Sequence, residues 1–271
     1  MLNAVKHLFR NTKIDLLLRE RCFTAFSMTF FTISAPHFPV PAPAMPLHSI
    51  QRLSPTAVLG LWHLTETPDD LWAALPNAAA YQPLLPATAD AKRQAQWLAG
   101  RRLAHALFGE LPTSLPSETL VQNDVTGRPW LAGAPADTVV SLSQSGERAA
   151  AVLAQGGRAG VDVELIRDKA QRLAGKFLAE NEWAHARAAA AGAAADTHYT
   201  LLWSAKESLY KLAAQRGIIF RQQLLLHEFS PQESGEIPAT LLLSSTETRH
   251  RICYTLPAPG YVLTYCHEPA G

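Results

Sequence analysis

Only three of the 271 residues are cysteine. Cys22, Cys253 and Cys266 form neither an even set nor a C-x-x-C pair. A disulfide framework and a thiolate zinc site are therefore not expected, and a reducing, cytoplasmic setting is. The 10 histidines include no H-E-x-x-H, and His227-Glu228 and His267-Glu268 are isolated pairs. The phosphate loops GxxxxGK[ST] and GxGxxG are missing, as is a G-x-S-x-G elbow around Ser145-Gly146. Neither sign of charge is in excess: 24 Lys+Arg against 23 Asp+Glu leave +1. No bulk field draws the chain to nucleic acid or to an anionic membrane. The apolar stretch Cys22 to Ala35 is broken by Thr and Ser and is too short to span a bilayer comfortably.

What is present is a folded composition, 48% hydrophobic and 17% charged, long enough for one large domain or two small ones. Residues 1–46 stand apart. Lys6, Arg10, Lys13, Arg19 and Arg21 precede the broken apolar stretch, and Pro36, Pro39, Pro41, Pro43 and Pro46 form an extended spacer. A signal or transit peptide is one reading, although Ile33-Ser34-Ala35 is not a clean cleavage site. The favoured expectation is an extension outside the folded unit, with Met45 near its start.

From Leu47 the pattern repeats coarsely, suggesting an N-terminal half, 47–157, and a C-terminal half, 158–268. An edge-like apolar run, Val58 to Leu64, precedes a helix expected over about 90–108. Its stripe is Trp97, Gly100, Ala104, Leu107 and Phe108, and Gly109 stands where a C-terminal cap is useful. Strand signals follow at 128–131, 139–143 and 149–154, with Ser145-Gly146-Glu147 as a turn. The second half opens with a strand over 159–165. An alanine-rich segment, 188–195, is interrupted by Gly192, and the major helix is expected over 197–215, ended by Gly217. Strands are expected at 223–229, 239–243, 251–256 and 261–266. The expectation is an α+β fold of two similar subdomains in pseudo-twofold arrangement, each a long helix on a small, mostly antiparallel sheet. Ligands favour the cleft between such halves.

Two short acidic motifs carry the chemistry. In GVDVE, Gly160 to Glu164, strand alternation puts Asp162 and Glu164 on one face, with Val161, Val163 and Leu165 on the other. In WSAKESLYK, Trp203 to Lys211, a spacing of four places Trp203, Glu207 and Lys211 on one helix face. Separately, each suits a solvated surface: a charged outer strand face, and an i,i+4 ion pair of about 0.3–0.5 kcal/mol. Together they do not. If Glu207 packs toward the other two acids, each like-charge pair near 4 Å costs about 4 kcal/mol at an effective dielectric of 20. Such an arrangement needs a cation, and all-oxygen ligation suits Mg²⁺.

These motifs resemble the two hallmarks of the 4'-phosphopantetheinyl transferases of the larger, pseudo-dimeric class, roughly G-[VI]-D-[VI]-E and [FW]-[ST]-x-K-E-[SA]-x-x-K. The resemblance extends to KRQAQWLAGRRLAHAL (Lys92 to Leu107), GRPWL (Gly127 to Leu131), SLSQSG (Ser141 to Gly146) and FLAENEW (Phe177 to Trp183). It covers most of the chain after about residue 50. It implies transfer of phosphopantetheine from coenzyme A to a carrier-protein serine, with adenosine 3',5'-bisphosphate leaving, by a cytoplasmic monomer. Asp162, Glu164 and Glu207 would hold Mg²⁺. Glu207, directly or through water, would take the serine proton. Lys206 and Lys211 would bind phosphate oxygens, with Lys211 also stabilising the transferring group.

By the same resemblance Arg101 and Arg128 would contact coenzyme A, with Arg93 and Arg102 weaker candidates that equally suit an exposed helix face. The family usually reads S-H-S where this chain has Ser143-Gln144-Ser145. Gln144 keeps a hydrogen-bond donor but cannot carry charge, and Ser143 remains a candidate ligand for phosphate or pantetheine. Glu182 matches a recurrent glutamate that suits capping or a buried ion pair as well as catalysis. His105 and His185 are expected to be packed or exposed. Two other readings stay open: a non-catalytic coenzyme A-binding or carrier-binding protein, and a scaffold with incidental acidic motifs.

Overall fold

Two antiparallel sheets, each backed by one long helix, meet along a shared apolar seam. The computed structural model describes residues 47–86, 88–189, 193–244 and 246–270. The expected extension 1–46 and the Gly192 interruption lie outside these. The first sheet begins with β1 (Leu47–Ser54) and β2 (Ala57–His63), a tight antiparallel hairpin. Then come α1 (Pro68–Ala73), α2 (Ala78–Tyr81) with a 3-10 turn at Gln82–Leu84, and the long α3 (Ala91–Phe108). The hairpin β3 (Leu120–Asn123) and β4 (Pro129–Ala132) precedes β5 (Thr138–Ser145) and β6 (Arg148–Gln155). The sheet order is β1-β2-β6-β5.

The second sheet starts with β7 (Arg158–Leu165), followed by α4 (Lys169–Phe177), α5 (Glu180–Ala189), the long α6 (Ala193–Ala213) and α7 (Phe220–Gln223). The strands β8 (Leu224–Leu226), β9 (Ser234–Leu243), β10 (Thr246–Thr255) and β11 (Tyr261–Glu268) complete it in the order β7-β11-β10-β9-β8.

Local rules account for the long helices but not for all their ends. Asp90 caps α3 by accepting the Arg93 N–H at 2.8 Å, satisfying one of the donors a helix leaves free at its start. Gly109 follows α3 at φ −74°, so it does not supply the left-handed cap its identity suggests. Helix α6 starts at Ala193, earlier than expected, and stops at Ala213 before reaching Gly217. Ala214, at φ 56°, takes the left-handed conformation there.

Leu98, Leu103 and Leu107 on α3 pack with Val58, Trp62 and Leu153 in one core, and Leu201, Leu209 and Leu212 on α6 pack with Ile237, Ile252 and Val262 in another. A third cluster lies between the sheets: Leu59, Leu61, Ala150, Val152, Val161, Val163 and Leu263. It corrects the reading of the Val58 run as an edge. Strand β2 is internal, flanked by β1 and β6, and is buried from Ala57 through Trp62. With α3 on one face and the second sheet on the other, nothing imposes apolar–polar alternation.

Candidate active site

Strand β7 sends Val161 and Val163 into the seam and turns Gly160, Asp162 and Glu164 toward α6. The glycine is required by packing. A methyl at Gly160 would strike the Ser208 carbonyl oxygen, so only glycine lets strand and helix approach this closely. The acids are thus not a solvated outer face. Asp162 is 4% exposed, its neighbour on the first sheet, Ser143, 8%.

Three elements supply the cluster. Ser143 Oγ, on β5, donates to Asp162 Oδ1 at 2.8 Å, and Lys211 Nζ, on α6, donates to the same oxygen at 2.8 Å and to the Val161 carbonyl at 2.7 Å. Glu164 accepts from Ser145 Oγ at 2.7 Å and from Trp203 Nε1 at 3.3 Å. Lys211 therefore pairs with Asp162 and not, as helix spacing alone suggests, with Glu207. The serines also join the sheets where no backbone ladder does. Ser141 Oγ accepts the Val161 N–H and Ser145 Oγ the Leu165 N–H, both at 3.1 Å.

The electrostatics are unbalanced. Burial and the nearby Asp162 push the Glu164 carboxyl up, against the hydrogen bonds from Ser145 and Trp203 and the charge of Lys211. Burial, then Asp162, pushes Glu207 up to about 7, with Lys211 opposing and Glu164 adding to the rise. Asp162 Oδ2 is buried and, among the described residues, has no hydrogen-bond partner. Three carboxylates thus share one ammonium, and an orphaned oxygen points to a missing positive charge. All the donors are oxygen, so the residues fit a hard divalent cation. Among the described residues, however, no three acidic, histidine or cysteine side chains already converge as a ligand set. The carboxylates perturb one another at a distance without meeting at a point, and a cation would have to draw them in.

The other expected residues separate from this cluster. Lys206 does not face it: fully buried, its Nζ donates to Glu182 Oε2 at 2.6 Å, to the Phe177 carbonyl at 2.9 Å and to the Phe220 carbonyl at 3.4 Å. That is inconsistent with the expectation of a phosphate contact, because all three N–H groups already have protein acceptors. Glu182 proves to be both a cap and a buried ion pair, accepting the Ala179 and Leu226 N–H groups as well. The Ser143 hydroxyl hydrogen goes to Asp162, which leaves it acceptor capacity only.

Arg101, on α3, is 3% exposed. Its guanidinium lies 3.8 Å from the Trp97 ring centroid and donates to Asn123 Oδ1 and the Trp97 carbonyl. No carboxylate pairs with it among the described residues, its Nε is unpartnered, and burial lowers it to about 10. Asn123 also donates to the Gly127 carbonyl at 2.7 Å, which ties Arg101 to the turn carrying the exposed Arg128.

Gln144, on β5, lies against Gly100, where a methyl would strike its amide nitrogen. Arg102 sits over Trp62 and 3.6 Å from Glu66, and Arg93 is exposed. His105 is packed, hydrogen-bonded to the Tyr81 hydroxyl at 2.9 Å and lowered by burial to about 4. His185 pairs with Glu228 on the surface.

The sequence reading gave no role to Ser145 or to the Trp203 indole, the two donors to Glu164. The available signal was the alternation Ser141, Ser143, Ser145, which puts three hydroxyls on one strand face. Cavity size is no guide to the cluster either. A cavity of about 580 Å³, lined by His227, His250, His267 and Glu268 among others, contains none of these residues.

Residues 158–266, from β7 into β11 and including both acidic motifs, match the family model described as the 4'-phosphopantetheinyl transferase superfamily. No curated protein matches the chain.

Proposed function

We propose, from the match of residues 158–266 to the 4'-phosphopantetheinyl transferase superfamily model, that the chain carries 4'-phosphopantetheine from coenzyme A to a carrier-protein serine. The acceptor is an apo acyl, peptidyl or polyketide carrier, and adenosine 3',5'-bisphosphate leaves. The observation that supports this most is Asp162, a buried carboxylate with one oxygen held by Ser143 and Lys211 and the other unpartnered. Asp162, Glu164 and Glu207 would hold Mg²⁺, which when bound would neutralise charge building on the breaking phosphoanhydride.

The chain's own residues do the rest. Lys211 uses two of its three donors on Asp162 and Val161 and stays 24% exposed, leaving one N–H for a phosphate oxygen. Ser145 and Trp203 orient Glu164. Glu207 carries no hydrogen bond among the described residues and, as a carboxylate, takes the attacking serine's proton directly or through water. Arg101 and Arg128, joined through Asn123 and Gly127, offer an uncompensated positive charge to coenzyme A phosphates, and Gln144 offers a neutral donor. On this reading 47–157 and 158–268 are the two pseudo-twofold halves, with coenzyme A across their seam, in a monomeric cytoplasmic enzyme.

The test is direct. The full chain is incubated with coenzyme A, Mg²⁺ and apo carriers of fatty-acid, polyketide and peptide type, and each carrier is weighed. A gain of one phosphopantetheine on at least one carrier is expected. No gain on any of them sinks the proposal.

A further inference from the structure

We infer that Lys206 and Glu182 are positioning residues: buried together, they shape the aromatic cage around Trp203 and, through its indole N–H, aim the Glu164 carboxylate, while Lys206 never touches substrate. This rests on the transferase reading for what Glu164 is aimed at.

The geometry runs in three steps. The side chains of Lys206 and Glu182 are 0% and 3% exposed and pair at 2.6 Å. Between them they fix four backbone points. Lys206 Nζ holds the carbonyls of Phe177, at the end of α4, and Phe220, at the start of α7. Glu182 holds the N–H groups of Ala179, just before α5, and Leu226, in β8, each at 2.6 Å. A buried charge that lost its partner would be costly, so the four segments are tied to α6 at one place.

Two of those points carry the rings that enclose Trp203. Phe177 meets it edge-on with centroids 5.1 Å apart, and Phe220 stacks on it at 5.7 Å and 23°. Lys206 thus holds the backbone of both cage residues. The third step is the indole itself, whose Nε1 donates to Glu164 Oε1 at 3.3 Å. That bond is long for an N–H donor, so the cage that sets the ring's tilt decides whether it forms. Groups that orient a metal-binding carboxylate through such a bond typically contribute ten- to a hundredfold in metal affinity.

Two measurements test this. The native full chain is acetylated at its amines, with and without coenzyme A and Mg²⁺, and its peptides are weighed. Lys206 should stay unmodified until denaturant is added, whereas Lys211 should react and be protected by coenzyme A. Acetylation of Lys206 in the native protein, blocked by coenzyme A, overturns the inference. In the second, the Mg²⁺ midpoint for thermal stabilisation in the presence of coenzyme A is read for Trp203→Phe, Lys206→Met and the double variant. Trp203→Phe should raise the midpoint about tenfold and leave the KM for coenzyme A at saturating Mg²⁺ within about twofold. Lys206→Met should shift the midpoint similarly, and the double variant should add little, since both act through one path.

An unchanged midpoint in Trp203→Phe, or additive shifts in the double variant, refutes the coupling. If Lys206→Met does not fold, acetylation and Trp203→Phe still decide. Failure of wild-type transfer, by contrast, removes the transferase reading without moving the acetylation pattern of Lys206.

Discussion

Helix α6 carries two charged clusters about one turn apart, and they are built on opposite principles. At Lys206 every polar atom is answered: one ammonium, one carboxylate, and four backbone groups completing their hydrogen bonds. At Lys211 the balance fails, with three carboxylates around one ammonium, two of them pushed up, and Asp162 Oδ2 left alone. A charge that folding has fully compensated has nothing left to offer a ligand. One left uncompensated costs stability until something binds, so on the proposed reading the imbalance, and not burial, marks the site. Arg101 is the counterpart on the first half, a buried cation that, among the described residues, has an unpartnered Nε and no carboxylate paired to it.

The largest expected effect would break that comparison at its chemical end. Asp162→Ala and Glu207→Ala should each lower carrier modification about a thousandfold, the scale of losing a few kcal/mol of charge stabilisation. Circular dichroism should be unchanged, and activity within tenfold of wild type would show that the unbalanced cluster is not the site. At the structural end, Lys206→Ala leaves Glu182 as a lone buried carboxylate. It should cost about 3–5 kcal/mol in urea unfolding, and a loss below about 1 kcal/mol would mean the pair holds nothing together.

Smaller effects sharpen the contrast. Arg101→Leu should raise the KM for coenzyme A roughly ten- to a hundredfold with little change in melting temperature. Equal damage to stability would place Arg101 with Lys206 instead. Finally, Glu207→Gln should raise the melting temperature of the metal-free protein. Glu207 is lifted from 4.5 to about 7 in the fold, so the folded state binds its proton more tightly than the unfolded chain does. Stability from this group is full below about 4.5 and is lost as pH rises through about 7. Glutamine escapes that loss, and its advantage should be near zero at pH 4.5 and largest above pH 7. A gain independent of pH would contradict the assignment.

Much of this was legible before any coordinates. Periodicity locates α3 and α6, and the eight runs of β-favouring residues expected as strands each overlap one of β4 to β11. Strand and helix spacing put Asp162 with Glu164, and Trp203 with Glu207 and Lys211. The failures share a cause. The Val58 run reads as an edge in sequence because nothing periodic before it announces its cover, β1, Leu47–Ser54. Motif resemblance alone assigns Lys206 to a phosphate, and a motif does not say which way each of its side chains turns; here Lys206 turns to Glu182. One residue along a helix is a turn of about 100°, enough to send Lys206 and Glu207 into different surroundings.

The sequence by itself determined the residue types, their spacing and the face each takes on its own element, because backbone geometry repeats and a chain of 271 residues carries its periods openly. Only the tertiary structure decided what each face meets. Gly160 lets β7 close on α6 and turns a charged strand face into a buried acidic cluster. Ser143 and Ser145 reach that cluster from the other sheet, Lys211 chooses Asp162 over Glu207, and Lys206 turns inward to Glu182. Those pairings join residues 19 to 49 positions apart in no periodic order; what sets them is packing, and with it the demand that every buried charge be answered, or be left for a ligand to answer.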